Sequence, residues 1–316
     1  MKYYLGVDVG GTNIKAGVTD ESGKIILKHS VKTNAGGTAQ ALADQITLLC
    51  REISKKANIP MKDICSVGVG IPGTVDSEKG IVIYANNLCI DGEPIGKMLE
   101  AGLQKPVSLA NDASCAALGE FVGGSGKEFR SVVMVTLGTG VGGGIVLNGK
   151  LWDGFQCAGV EIGHMVIQNG GEKCTCGRNG CWEAYSSATA LLRDTRRAME
   201  QHPESLLHKV AGPSGKISAK TAFTAMYQGD QVAKSVVENY LWYLSEGIAN
   251  IINIFAPEAV ILGGGVCNEG DALLNPLKKL VYEKCYGGDR IRHADLRIAR
   301  LGNDAGIVGA AMLHQA

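Results

Sequence analysis

The chain reads as an α/β protein made of two related halves. Apolar runs of strand length alternate with segments of helical spacing along its 316 residues, the order that builds layered α/β domains. The opening LGVDVGGTNIKAGVTDESGK has the same strand, glycine turn, strand, turn order as VMVTLGTGVGGGIVLNGK further on. A weak internal repeat of this kind suggests two halves facing each other. Glycine is abundant, 44 residues, yet it gathers in turns between apolar runs, where the backbone must bend tightly.

Residues 4–9, 14–18 and 25–31 predict a meander of strands, with Gly10-Gly11-Thr12-Asn13 and Glu21-Ser22-Gly23 as turns. Leu42, Ile46, Leu49 and Ile53 fall at helical spacing and predict a helix over 38–57. Residues 67–71 and 107–110 predict short buried strands. The first ends at Pro72-Gly73, the second at Asn111-Asp112 ahead of a helical 113–121. The second hairpin covers 132–147, and the pattern turns helical from Ser186, notably over 218–227 and 232–255. A strand at 260–262 leads into Gly263-Gly264-Gly265, followed by a helix at 273–282, a strand at 296–299 and a closing helix at 305–313.

Composition narrows the function. The length suits two domains or one large one. Formal charge is zero, from 31 basic and 31 acidic residues, so the electrostatic footprint of a nucleic-acid binder is missing. Aromatics make up 5%, too few for base-stacking surfaces. The longest apolar runs are strand-length, which predicts no membrane span. Met1-Lys2-Tyr3-Tyr4 leads straight into Leu5-Gly6-Val7-Asp8 without a secretory pattern, so a cytoplasmic protein is expected.

The most informative stretch is AGVEIGHMVIQNGGEKCTCGRNGCWEA. His164, Cys174, Cys176 and Cys181 form an H-x9-C-x-C-x4-C set, enough for one closed tetrahedral zinc site. Four nitrogen and sulfur ligands leave no position for a catalytic water, so the ion would be structural. A disulfide is the competing use of ten cysteines, but a C-x-C pair is poorly placed for an unstrained bridge. The other cysteines (50, 65, 89, 115, 157, 267 and 285) mostly sit singly in apolar runs, as small buried hydrophobes do. Glu161 lies three residues before the first ligand and Glu183 two after the last. A metal that fixes the loop therefore fixes two acids beside it.

Gly138, Gly140 and Gly143 fit G-x-G-x-x-G, with Glu161 at nearly the distance of a ribose-binding acid. A Rossmann turn, however, must open a helix, and here a second strand follows. A hairpin turn offers a concave nest of N–H groups for phosphate oxygens instead, and Thr12 and Thr139 can add hydroxyl donors. Either turn taken alone is more often a plain tight turn. No P-loop pattern occurs. Asp8 stands in an apolar run, and a buried carboxylate is costly unless a cation accompanies it; Mg2+ carried by a nucleotide is the natural partner.

Together these residues resemble the sugar-kinase branch of the ROK family (repressors, open reading frames, kinases). The resemblance runs nearly end to end, through DVGGTNIKAG, GIPGTVD, AND, LGTGVGGG, AGVEIGH, CTCGRNGCWE, LGGGV and DAGIVGAA. It implies a two-lobed actin-like ATPase (ribonuclease H-like) fold with a zinc-binding loop. The smaller lobe would take residues 1–118 and 303–316, the larger 119–302, with ATP and sugar in the cleft. By the same resemblance Gly10, Gly11 and Thr12 form the first phosphate loop, near Asp8, and Gly138, Thr139 and Gly140 the second. Gly263, Gly264 and Gly265 form the adenosine turn. Asp112 matches the catalytic base, and Asn87, Asn111, Glu161, His164 and Glu183 match sugar-contacting positions. His164 would serve twice, one ring nitrogen on zinc and the other towards the sugar.

The residue types suit that chemistry. A sugar hydroxyl is a poor nucleophile, and a nearby Asp orients it and accepts its proton. Phosphoryl transfer otherwise needs positioning and charge neutralisation. Plainer uses stand beside these: Asn111-Asp112 occupies an ordinary helix N-cap place, Glu183 can cap the helix that follows, and Glu161 can support a zinc ligand. The implied activity is ATP-dependent phosphorylation of a hexose, glucose first, with fructose, N-acetylmannosamine or N-acetylglucosamine as alternatives. Pro72-Gly73-Thr74 and Asn86-Asn87-Leu88 would discriminate among them. A sugar-responsive repressor would need a DNA-binding domain ahead of Asp8, where seven residues stand. A non-catalytic sugar binder would have no use for Asp112 with two phosphate nests. The family also implies a homodimer formed through the larger lobe.

Overall fold

The computed structural model describes residues 1–34, 37–157 and 159–315; Ala158, which opens the AGVEIGH motif, lies outside them. The chain begins with strands β1 (Tyr3–Val9), β2 (Asn13–Asp20) and β3 (Ile25–Lys32), helix α1 (Ala39–Lys56) and strand β4 (Ile64–Ile71). Three short strands, β5 (Thr74–Asp76), β6 (Ile81–Ala85) and β7 (Ile90–Glu93), precede α2 (Ile95–Leu103), β8 (Val107–Asn111) and α3 (Asp112–Gly123). Strands β9 (Val132–Leu137), β10 (Val141–Leu147) and β11 (Lys150–Leu151) then lead through a long loop to a helical stretch. It comprises α4 (Glu183–Ser186), α5 (Ala188–Gln201), α6 (Leu206–Ala211), α7 (Ala219–Tyr227) and α8 (Gln231–Phe255). β12 (Ala259–Gly263), α9 (Asp271–Lys284), β13 (Asp295–Ile298) and α10 (Ala305–Met312) end the chain.

Two five-stranded sheets have matching orders, β3-β2-β1-β4-β8 and β11-β10-β9-β12-β13. In the first, β1 and β2 are antiparallel while β4 and β8 add in parallel. In the second, β13 likewise adds in parallel to β12. The repeat read in the sequence is therefore a repeat of topology. The third sheet, β5-β6-β7, has no counterpart in the sequence reading, nor has α2. Strands of three to five residues that include IDGE are too short and polar to show a period.

The chain divides into two compact units, residues 1–134, 144–160 and 299–316, and residues 135–143 and 161–298. This division differs from the lobes drawn on the resemblance, because 119–134, 144–160 and 299–302 join the first unit. The cause is close packing around α3. A Cβ on Gly309 of α10 would overlap the Cys115 carbonyl, and one on Gly119 the Ala305 carbonyl, so only glycine permits this approach of two helix backbones. Glu120, fully buried, accepts N–H bonds from Ser125 (2.8 Å), Arg300 (3.0 Å) and Leu301 (2.6 Å). Three donors make that buried carboxylate tolerable and tie the returning chain to α3.

The core of the first unit forms where Leu5, Val7, Ile14, Ala16 and Val18 meet Leu42, Ile46, Leu49 and Ile53 of α1. Each buried aliphatic side chain contributes roughly 1.5–3 kcal/mol. Thr38 caps α1, its hydroxyl accepting from the Ala41 N–H at 3.2 Å. The core of the second unit includes Phe223, Leu244, Ile248 and Trp182, all fully buried. Trp182 lies against Gly247 of α8 and donates its indole N–H to the Tyr243 carbonyl at 3.0 Å. Among the described residues every cysteine is free. Cys50, Cys115, Cys267 and Cys285 are buried as their apolar settings predict, whereas Cys65 and Cys89 are exposed. No helix among these residues is long and apolar enough to cross a membrane.

Candidate active site

In the second unit His164, Cys174, Cys176 and Cys181 converge, with all four ligand atoms within 4.8 Å of one another. The separations test the metal. A tetrahedral zinc with Zn–S near 2.3 Å and Zn–N near 2.0 Å has S···S edges of about 3.8 Å and N···S edges of about 3.5 Å. The observed Cys176 Sγ–Cys181 Sγ distance is 3.7 Å and the Cys174 Sγ–His164 Nδ1 distance 3.6 Å. The donor set therefore fits zinc, with Nδ1 as the nitrogen facing the ion. Local structure explains the convergence. Cys174 N–H bonds the Arg178 carbonyl and Gly177 N–H the Cys174 carbonyl, folding a knuckle that turns the three thiols inward. Bridge pairing of Val166 with Cys181 brings the His164 end of the loop alongside, and Trp182 anchors the far end.

Glu183 neither caps the following helix nor stands apart. One carboxylate oxygen accepts the Val141 N–H at 3.0 Å, and the other accepts the Thr175 hydroxyl at 3.1 Å. Val141 closes the second glycine hairpin, so the cysteine loop and the hairpin share one carboxylate. The hairpin is pinned further. Gly138 N–H bonds the Gly140 carbonyl, Ala188 N–H bonds the Gly138 carbonyl, and the Thr189 hydroxyl bonds the Thr139 carbonyl. Two hairpin N–H groups are thus engaged within the protein, which leaves Thr139 at the exposed tip with Gly140 beside it. Gly264 has a φ of +97°, and a Cβ there would overlap the Leu137 carbonyl, so position 264 must be glycine for the turn to abut the foot of the hairpin. Glu161 is exposed, its carbonyl accepting the His164 N–H at 3.0 Å.

In the first unit the other glycine turn is held in the same manner. Gly10 N–H bonds the Asn13 carbonyl at 2.9 Å, and the Thr33 hydroxyl bonds the Gly10 carbonyl at 2.6 Å. Gly11 and Thr12 stay exposed. Asp8 is paired with Lys15, Nζ to Oδ2 at 3.1 Å, a protein cation in addition to any metal. Its register is legible: a tight turn after Val9 places residue 15 directly opposite residue 8, a signal passed over in the sequence reading.

Asn111 is the N-cap of α3. Its side-chain oxygen accepts from Ala113 N–H (2.8 Å) and Ser114 N–H (3.2 Å), and its amide donates to the Gly73 carbonyl at 2.9 Å. The cap thus ties the GIPGTVD loop to the helix that begins with Asp112. Acidic residues are favoured in this first turn by the helix dipole. Asp112 is half-buried. Burial, and then the charges of Asp112, Asp8 and Asp153, push the Cys115 thiol well above its ordinary range. Asn87 is exposed in the short turn Asn86–Leu88.

Asp153 carries no motif and escaped the sequence reading. Burial raises its pKa, and the Ser114 hydroxyl, donating at 2.8 Å, offsets this only in part. A carboxyl with a raised folded pKa holds its proton longer folded than unfolded. Stability from this group is thus present at low pH and lost as pH climbs from about 3.9 through the folded value. Asp153→Asn removes that loss and keeps an acceptor for Ser114. Denaturant titrations should show the variant gaining on the wild type as pH rises from about 3.9; a difference that stays flat with pH would contradict the assignment.

The profile of the ROK family matches residues 4–316. The glucokinase of Halalkalibacterium halodurans is 37% identical over 314 residues, covering 99% of this chain and 94% of that protein. The glucokinase of Streptomyces coelicolor is 38% identical over 316 residues, with 99% and 98% covered. Among solved structures, a ROK family glucokinase from Streptomyces griseus in complex with glucose and AMPPNP superposes with a TM-score of 0.82 at 36% identity, covering 99% and 100% of the two chains. The fold is therefore that of the ROK glucokinases, a two-part actin-like α/β architecture. With its family profile matched from residue 4 to the C-terminus and its cysteine–histidine loop at zinc spacing, the chain belongs to the ROK family.

Proposed function

We propose that this chain catalyses ATP-dependent phosphorylation of a hexose, glucose to glucose 6-phosphate. The observation that carries the reading is near-full-length identity of 36–38% to glucokinases, on a chain with two pinned glycine turns, an acidic helix start and an intact cysteine–histidine loop.

In this reading Asp112 accepts the proton of the sugar hydroxyl as its oxygen bonds to the terminal phosphorus, and ADP departs. Asn87, Asn111, Glu161, His164 and Glu183 hold the other hydroxyls. Nδ1 of His164 faces the metal, so its Nε2 is the nitrogen available to a sugar. Gly10, Gly11, Thr12, Gly138, Thr139 and Gly140 cradle the phosphates, and Gly263, Gly264 and Gly265 adjoin the nucleoside. Mg2+ brought by the nucleotide neutralises phosphate charge when bound; Asp8 would hold it through a free lone pair while Lys15 keeps the other oxygen. Zinc on His164, Cys174, Cys176 and Cys181 is structural. The protein is read as a cytoplasmic homodimer acting on small molecules, with no role in binding nucleic acid or membranes.

The test is a coupled assay of ADP release with ATP and Mg2+ over glucose, fructose, mannose, N-acetylmannosamine and N-acetylglucosamine. Glucose should give the highest kcat/KM by at least about tenfold, since each hydroxyl mismatched against a buried polar group costs a kcal/mol or more. An N-acetylated sugar in first place would move the substrate, and no turnover of any sugar would end the kinase reading.

A further inference from the structure

We infer that Thr175 is a positioning residue for the nucleotide side of the reaction: through Glu183 it lets the cysteine–histidine loop set the shape of the second glycine hairpin. The inference rests on the kinase reading and deepens it. Thr175 stands between Cys174 and Cys176, so two metal-ligating neighbours fix its backbone. Its hydroxyl donates to one oxygen of Glu183 at 3.1 Å, and the other oxygen receives the Val141 N–H at 3.0 Å. Glu183 follows Cys181 by two residues and Trp182 is fully buried, so both ends of the strut are anchored on the same loop. Fit at the hairpin is close, since a Cβ on Gly140 would overlap the Glu183 carboxylate.

The hairpin needs such support. Gly138, Gly140, Gly142, Gly143 and Gly144 leave its backbone intrinsically loose. Helix α5 holds its carbonyls, through Ala188 N–H and the Thr189 hydroxyl, while Glu183 holds its N–H side at Val141. A glutamate side chain has three rotatable bonds, so a fixed carboxylate requires a partner at both oxygens. Cys174 Sγ lies 3.7 Å from the same oxygen that Thr175 serves. At 3.1 Å the Thr175 hydroxyl is the closer and stronger donor, and it keeps Glu183 turned towards Val141.

The experiment compares wild type with Thr175→Val and Thr175→Ser. Zinc content is measured by atomic emission, and affinity for a non-hydrolysable ATP analogue by calorimetry without sugar. Thr175→Val should keep one zinc per chain and bind the analogue roughly three- to tenfold more weakly, with Thr175→Ser restoring wild-type affinity. Amide exchange at Val141 should quicken in the valine variant alone. Unchanged affinity and exchange in a zinc-replete Thr175→Val protein overturn the proposal. If valine costs the protein its zinc, Thr175→Ala is read by the same two measurements. Glucose turnover, assayed separately on the wild type, tests the kinase reading; its loss would leave the calorimetric comparison standing, and its presence with unchanged affinity would sink the strut alone.

Discussion

Replacing Asp112 with asparagine lowers kcat for sugar phosphorylation by about a hundredfold or more, with zinc content, melting temperature and nucleotide affinity near wild type. The structure makes this substitution clean. Asp112 is the first residue of α3, and its Oδ1 accepts the Ala113 N–H at 3.0 Å, a bond that an asparagine carbonyl keeps. Asn111 supplies the cap itself, so the helix start does not depend on the acid. What asparagine cannot do is take a proton from a hydroxyl. The loss should therefore fall on kcat with little change in the KM for ATP, the pattern of an interaction made in the transition state. Steady-state kinetics over both substrates decide it. Equal turnover by the two proteins would assign the base elsewhere, and a matching loss of melting temperature would make Asp112 a structural acid.

Removing the metal is expected to have the largest effect of all. Cys181 is fully buried, and Cys181→Ser leaves three donors and an oxygen too weak to complete a thiolate site. Binding of zinc to small structural sites is worth roughly 10–16 kcal/mol, an upper bound here because the second unit has a core of its own. Residues 165–182 contain isolated bridge pairing and turn hydrogen bonds but no helix or sheet strand, so the ion adds a large share of their order. The variant should hold less than one zinc per chain, melt several degrees lower, and lose glucose phosphorylation by about a hundredfold or more. Metal analysis, calorimetric melting and the coupled assay check this together. A zinc-free Cys181→Ser protein with wild-type kinetics would separate the loop from the pocket.

The repeat of strand, glycine turn and strand was legible because period-two burial and glycine punctuation are local, and its two copies became sheets of equal order. The metal set was legible for the same reason: ligand identity and spacing are properties of one short segment. Helices such as α1 were readable from Leu42, Ile46, Leu49 and Ile53, all of which face the core. β5, β6 and β7 were not, since strands that short are stabilised by neighbours more than by their own residues.

Sequence by itself determined the family, the alternation of elements, the glycine turns and the four candidate zinc ligands. Tertiary structure decided how most of the charged and polar side chains pair: Asp153 with Ser114, Glu120 with a returning backbone, and Glu183 with both Val141 and Thr175. The physical reason is range. Turns and ligand knuckles are fixed by dihedral preferences and spacing within a few residues. A carboxylate's partner is whichever donor the completed fold brings within about 3 Å, and for Glu183 that donor lies 42 positions back in the chain.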